Sequence, residues 1–308
     1  MNKKIIILSN SKKEKFPLKW IKKYKKMEEV MKFSKLQAAG NDFILVNGIE
    51  YPNLDLGVIA KKVCDRHFGI GADGLMTCEK SEIADIKMNY YNSDGSRGEM
   101  CGNGIRCFSK FVYDIGVVRK EKFSVETDAG IKYITLTLEN KGVKYIEVDM
   151  GQVDFRSKSV PCTIDKEFVF EEELEVEGQI LKFSSVLMGV PHTVVFVDDY
   201  SNYDVDKLGN SMEHNLKLFP RKTNVNFIKV LDDENIEIKT WERGASRTLG
   251  CGTGCCSSAA VAHKLGKIKG NKVRLITEGG EVFVELDEEY NILMKGSAET
   301  ICNGEFLK

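Results

Sequence analysis

The sequence predicts an α+β protein made of two homologous, pseudo-symmetric halves facing each other across a cleft, residues 31–150 and 151–308, behind a basic extension over residues 1–30. Three observations predict it. One order of strand-like and helix-like patterns runs through the chain twice. Cys101 and Cys251, 150 residues apart, each open a Cys-Gly-x-Gly turn leading into a helix-like run, IRCFSKFVYDIG after the first and CCSSAAVAHKLG after the second. Each turn follows a polar, glycine-bearing loop, NSDGSRGEM and ERGASRTLG.

The elements pair off in order. AAGNDFILVNG (38–48) matches MGVPHTVVFVD (188–198), a small-residue turn followed by an apolar strand. Next come the helix-like LDLGVIAKKVCDRH and VDKLGNSMEHN, then the strands DGLMTCEK and TNVNFIKVL, then DIKMNYYNSDGS and NIEIKTWERGAS. After the two cysteine turns, FSVETDAGIKYITLTLENKGVKYIEVDMG matches VRLITEGGEVFVELDEEYNILMKGSA, a strand-rich tail in both copies. The final strands are free to pack back on the first half.

At 308 residues the chain is long enough for two ordinary cores, and 42 % hydrophobic with 30 % charged residues is a globular composition. No apolar run approaches the ~20 residues of a membrane helix. Residues 1–30 hold ten Lys and three Glu, a balance of +7, leaving −8 on the rest of a chain whose total is −1. An acidic body argues against nucleic acid as partner. The leader reads as a solvated tail or an upstream start ahead of Met31; a basic amphipathic helix around Trp20, Ile21 and Tyr24 is the other reading. Nine cysteines without a secretory signal point to reduced thiols in the cytoplasm. Their spacing lacks the paired C-x-x-C of structural zinc, so no metal is expected. Cys64, Cys78, Cys107, Cys162, Cys255, Cys256 and Cys302 read as small buried apolar residues.

A thiol beside the free N–H groups of a helix start is in a setting that favours thiolate and receives anions. Two such thiols on opposite walls of a cleft suit removal of a proton from one face of a carbon and delivery to the other. The carbanion formed next to a carboxylate needs stabilisation, and no pyridoxal-lysine context is recognisable. The two helix starts offer it instead, one well-placed donor being worth about 2.7–4 kcal/mol. Arg243, just before the second cysteine loop, is a guanidinium suited to a carboxylate. Asn41, Asn92 and Asn224 fall at strand ends or turns on one side of the repeat. His192 follows Pro191 in what reads as a turn, and Glu242 reads equally well as a salt-bridge partner of Arg243.

The motifs AAGNDF, GIGADG, NSDGS, CGNGIRC, VLMGVPH, TNVNF and WERGASRTLGCGTG resemble those of the diaminopimelate epimerase family and its cofactor-independent racemase relatives, from Met31 to about Gly296. The resemblance implies halves that are each a barrel-like, mostly antiparallel sheet around a central helix. It implies Cys101 and Cys251 as proton donor and acceptor, and Asn41, Asn92, Asn224, Glu242 and Arg243 as substrate contacts. Gly102–Asn103 and Gly252–Thr253 match the carboxylate cradle, and His192 and Glu242 match groups that tune the thiols. It further implies an isomerase without cofactor that converts LL-diaminopimelate to meso-diaminopimelate, a lysine and peptidoglycan precursor, with a small amino acid as ligand, a homodimer and no membrane partner. The chain departs from the pattern at Val190, where many members carry an Asn that helps hold the distal end of the substrate, and at Gly74, where some carry Gln. A single-headed amino acid such as histidine is the alternative substrate.

Other classes compete. GIGADG satisfies G-x-G-x-x-G, but a dinucleotide fingerprint needs a strand before it and a helix after, and here the order is reversed. A thiol oxidoreductase keeps its cysteines adjacent, not on separate halves. A non-catalytic amino-acid-binding protein would have no need of both thiols.

Overall fold

The computed structural model describes residues 30–307; the basic leader, apart from Val30, lies outside the described residues, as does Lys308. The first series of elements is β1 (Val30–Ala38), β2 (Asn41–Val46), α1 (Leu56–Cys64), β3 (Gly74–Glu79), β4 (Ile86–Asn92), β5 (Arg97–Gly98), α2 (Gly102–Asp114), β6 (Lys122–Thr127), β7 (Gly130–Glu139) and β8 (Gly142–Gln152). After β9 (Val169–Val176) the order recurs. It runs β10 (Gln179–Met188), β11 (Val190–Phe196), α3 (Val205–Glu213), β12 (Asn224–Val230), β13 (Asn235–Glu242), β14 (Ser246–Thr248), α4 (Gly252–Lys264), β15 (Lys272–Thr277), β16 (Gly280–Leu286) and β17 (Asn291–Gly296). β18 (Glu299–Leu307) follows.

The strands form one mixed sheet, mostly antiparallel. The parallel pairs are β2 with β3 and β4 with β6, matched by β11 with β12 and β13 with β15. β8 pairs with β17, its counterpart, so the sheet runs on between the two series. β9 lies antiparallel to β10, and the same place beside β1 is taken by β18. This is the α+β architecture the repeat predicts.

The register corrects one alignment by a residue. Ile44 lies beside Leu75 where Thr193 lies beside Val225, so Gly40 corresponds to Gly189 and Asn41 to Val190, rather than Ala38 to Met188. Both glycines hold left-handed backbone, φ +79° and +70°, which spares a side chain the strain of that turn.

The central helices are buried on nearly every side. Ile105, Phe108, Phe111 and Val112 of α2 and Cys255, Cys256, Ala259 and Ala260 of α4 are all buried. The curved sheet encloses both, and toward the end of α2 Lys110 and Asp114 pair with each other at 2.8 Å. Burying a side chain such as Phe108 contributes about 1.5–3 kcal/mol. The outer helices show one-sided burial instead, α1 through Ala60 and Val63 and α3 through Leu208 and Met212. Asp55 and Asp204 cap them, accepting from Val58 N at 3.2 Å and Lys207 N at 3.1 Å. Cys64, Cys78, Cys107, Cys255 and Cys256 are buried as expected, but Cys162 is only partly so and Cys302 is exposed, because β18 is open to solvent along most of its length.

Candidate active site

Cys101 and Cys251 occupy the same position in their halves, the N-cap of α2 and of α4, each with extended backbone (φ −133° and −117°) that turns the thiol back over the helix start. Cys101 Sγ accepts from Gly104 N at 3.4 Å, and Cys251 Sγ lies 3.4 Å from Thr253 Oγ1. The two helix starts meet. A Cβ added at Gly102 would lie 3.3 Å from Gly252 Cα, and one added at Gly252 would lie 3.3 Å from Gly102 Cα. Glycine alone permits this approach, which brings both sets of free N–H groups together.

Both thiols are held in the protonated form. Burial pushes Cys101 up to about 11, against the pull of the Gly104 N–H, with Glu242 adding to the rise. Cys251 is pushed well above the usual thiol range, by burial first and then by Glu242. Loss of water outweighs the backbone donors, which by themselves favour thiolate. Glu242, the last residue of β13, is itself raised by burial, with the Cys251 side chain opposing the rise. A thiol and a carboxyl both held high, side by side, can share a proton at little cost. Among the described residues Glu242 makes no ion pair with Arg243, which begins the turn after β13. Arg243 instead donates from Nη1 to Arg221 O at 3.2 Å.

The three asparagines stand at strand ends and are tied down. Asn41, first in β2, donates to Asp73 and offers Oδ1 to the Cys101 thiol at 3.6 Å. Asn92, last in β4, accepts from the Tyr90 hydroxyl at 2.7 Å and donates to Ser96 Oγ at 3.0 Å. Asn224, first in β12, donates to Pro191 O at 2.8 Å and accepts from Arg243 N at 2.9 Å, linking β11 to the arginine loop. His192 is not in a turn but inside β11, fully buried, with burial holding it far below its ordinary range, at about 3. Pro191 is tolerated in that strand because pairing with β12 begins only at His192.

The Asn103 side chain has a structural task beside the backbone role its motif implies. Its side chain donates to Gly250 O of the other half at 2.7 Å and accepts from Arg106 Nη2 at 2.9 Å, so only its backbone N–H is free for a carboxylate cradle. Arg106, overlooked in the sequence, is 1 % exposed and makes no ion pair among the described residues. It donates to Gly102 O at 3.1 Å and Ser297 O at 3.3 Å. Its signal was a lone cation inside an apolar helix run. Asn103→Ala would strip partners from a buried carbonyl and a buried guanidinium, a cost of about 1–3 kcal/mol. We expect the thermal midpoint to fall by about 2–4 °C per kcal/mol. An unchanged melt would show that the bridge contributes nothing.

Among the described residues no group of His, Cys, Asp and Glu side chains is placed to hold a metal, and no helix is long and apolar enough to cross a membrane. The family profile described as diaminopimelate epimerase matches residues 33–156 and 184–301. The diaminopimelate epimerase of Clostridium perfringens is 46 % identical over 279 residues, covering 90 % of this chain and all of that one. That of Caldanaerobacter subterraneus subsp. tengcongensis is 44 % identical over 275 residues, 89 % of this chain and 99 % of its own. Among solved structures, a phenazine biosynthesis protein of the PhzF family from Bacillus anthracis superposes with a TM-score of 0.68 at 17 % identity over 91 % of this chain and all of that one. A hydroxyproline epimerase from Agrobacterium vitis gives 0.64 at 14 %, covering 91 % and 92 % of the two chains. These last two speak for the fold alone. With paired thiols at matched helix starts and full-length relatives well above 40 % identity, the chain belongs to the diaminopimelate epimerase family.

Proposed function

We propose that this protein is an isomerase that converts LL-diaminopimelate to meso-diaminopimelate through two thiols and without a cofactor. The observation that carries the mechanism is the contact of Gly102 with Gly252, which sets two thiol-capped helix starts against each other. One thiolate takes the α-proton from one face of the substrate carbon, and the opposite thiol delivers its own proton to the other face. The enzyme ends with the roles exchanged. The α-carboxylate, where charge accumulates, rests on the N–H groups of Gly102–Asn103 and Gly252–Thr253. The thiols begin protonated, so one proton must leave before the reaction. The raised carboxyl of Glu242 is a nearby acceptor, and the substrate's α-ammonium favours the thiolate once bound.

Inversion at one centre requires the other amino-carboxylate end to be read without reacting. Arg243 and Asn224 are joined, and Asn41 and Asn92 stand at the matching strand ends of the first half. The shifted register adds a point: Val190 stands where the first half has Asn41, so the polar residue is lost from one half only. Val190→Asn should leave turnover of diaminopimelate similar or improve its binding, and should impair a single-headed substrate by placing an unpaired amide against its side chain. kcat/KM for LL-diaminopimelate and L-histidine in both proteins separates the two substrates.

The test of the function itself is incubation in deuterated water with LL-diaminopimelate and with single L-amino acids, scored for α-deuteration and inversion. Chelator-treated, pyridoxal-free protein should invert diaminopimelate; a requirement for an added cofactor, or no exchange with any substrate, would overturn the reading. A cytoplasmic homodimer belongs to the same proposal. All nine cysteines are free, which suits a reducing compartment, and sedimentation would establish the dimer.

A further inference from the structure

The two halves place different residues at the same positions beneath the two thiols. Leu75 lies opposite Tyr91 and beside Ile44, as Val225 lies opposite Trp241 and beside Thr193. Phe43, Met76 and Tyr90 of the first half therefore correspond to His192, Asn226 and Thr240 of the second. The first trio is mostly apolar contact: the rings of Phe43 and Tyr90 meet edge-on at 6.0 Å, and Met76 packs against Gly104. The second trio is a hydrogen-bonded chain. Asn226 Nδ2 lies 3.3 Å from Thr193 O and 3.2 Å from His192 Nδ1, and its Oδ1 accepts from Thr240 Oγ1 at 3.3 Å. The amide is completely buried and lies against the first turn of α4, where a Cβ added at Gly254 would come 2.4 Å from Oδ1.

This arrangement determines which way the amide faces and, through it, where the imidazole keeps its proton. The Thr193 carbonyl can only accept, so the atom facing it must be the Asn226 nitrogen. That same nitrogen faces His192 Nδ1, so Nδ1 is the bare nitrogen and the ring proton sits on Nε2. Nε2 has no hydrogen-bond partner among the described residues although the ring is wholly buried. A buried donor left unmade costs about 1–3 kcal/mol, and what would complete it is an acceptor.

We propose that Asn226 is a positioning residue that fixes His192 as the neutral Nε2–H tautomer, making the imidazole a hydrogen-bond donor to negative charge at the start of α4, and not a base that deprotonates a thiol. This rests on the two-thiol reading above and deepens it. The half that carries Cys251 thus has a polar support its partner half lacks, and the two thiols are chemically unequal despite their matched backbones. The charge served is the Cys251 thiolate or the substrate carboxylate. Among ionisable groups, Arg243 is the one whose charge reaches the ring, and it adds to burial in keeping the imidazole neutral.

Nitrogen-15 NMR of histidine-labelled protein tests the tautomer independently of activity. The chain has four histidines, and His192 is assigned by the signal lost in His192→Gln. We expect a protonated Nε2 and a bare Nδ1, unchanged through the neutral range; a protonated Nδ1, or a His192 ring that titrates near neutrality, overturns the proposal. Asn226→Met installs the residue of the matching position in the first half, and Asn226→Asp keeps the shape while accepting from Nδ1–H, which drives the proton off Nε2. Both should lower kcat about 100-fold. Slower pH-dependent alkylation of Cys251 would identify the thiolate as the acceptor, and a raised KM with unchanged alkylation would identify the carboxylate. An Asn226→Asp or Asn226→Met protein that melts like the parent and keeps its kcat and KM overturns the proposal. Failure of deuterium exchange in the parent would instead sink the reading beneath it while leaving the tautomer result standing.

Discussion

Cys101→Ala and Cys251→Ala are each expected to abolish inversion. Each removes one of the two groups that exchange protons with opposite faces of the substrate carbon, and a positioned acid or base contributes about 10²–10⁴-fold. If both thiols act in every turnover, as proposed, neither loss is compensated by the other. Each single Cys→Ser variant should retain one-sided chemistry, washing solvent deuterium into the starting enantiomer, or eliminating where the substrate carries a leaving group, without producing its epimer. The measurement is the ratio of deuterium incorporation to optical inversion. Full inversion by either Ala variant removes that cysteine from the mechanism.

Gly252→Ala should be nearly as damaging, although it takes away no reacting group. The added methyl would lie 2.9 Å from Met294 Sδ and 3.3 Å from Gly102 Cα. The methionine can move, but the backbone of the other helix start cannot, so the two thiol-bearing turns must separate. Displacements of about 1 Å in such a site cost about 10²-fold. We expect kcat/KM to fall by about that factor with a modest loss of stability. Gly270→Ala is the control: its methyl would meet nothing nearer than Asp233 O at 3.5 Å, and should cost far less. Equal effects at both positions would argue that approach of the helix starts is not what matters.

The cysteine turns and the repeat were legible because each depends on a few adjacent residues. A Cys-Gly-x-Gly turn followed by an apolar run can hardly be anything but a capped, enclosed helix. The strand-end positions of Asn41, Asn92 and Asn224 followed from the same local patterning. What was not legible depends on distant partners. Pro191 argued for a turn at His192 because nothing local indicates that β12 pairs only from His192 onward. Arg106 passed unnoticed because its acceptors, Ser297 O and the Asn103 side chain that bridges to Gly250, lie on opposite sides of the repeat. The balance at the thiols is not legible for a related reason: a helix start is written in sequence, whereas the exclusion of water from it is not.

The pairing of β18 with β1 bears on how the chain is made. Ser34 reaches Asn303 across a separation of 269 residues, so the sheet that encloses α2 is completed by a segment the ribosome delivers long after α2 itself. Until then β1 presents an open edge, and Phe33 lacks the Phe306 ring it meets at 6.1 Å. Contacts this remote in sequence form slowly, and unpaired edges invite wrong partners. The first half to be synthesised is therefore among the last to be finished, and its exposure during synthesis is where demand for chaperones falls.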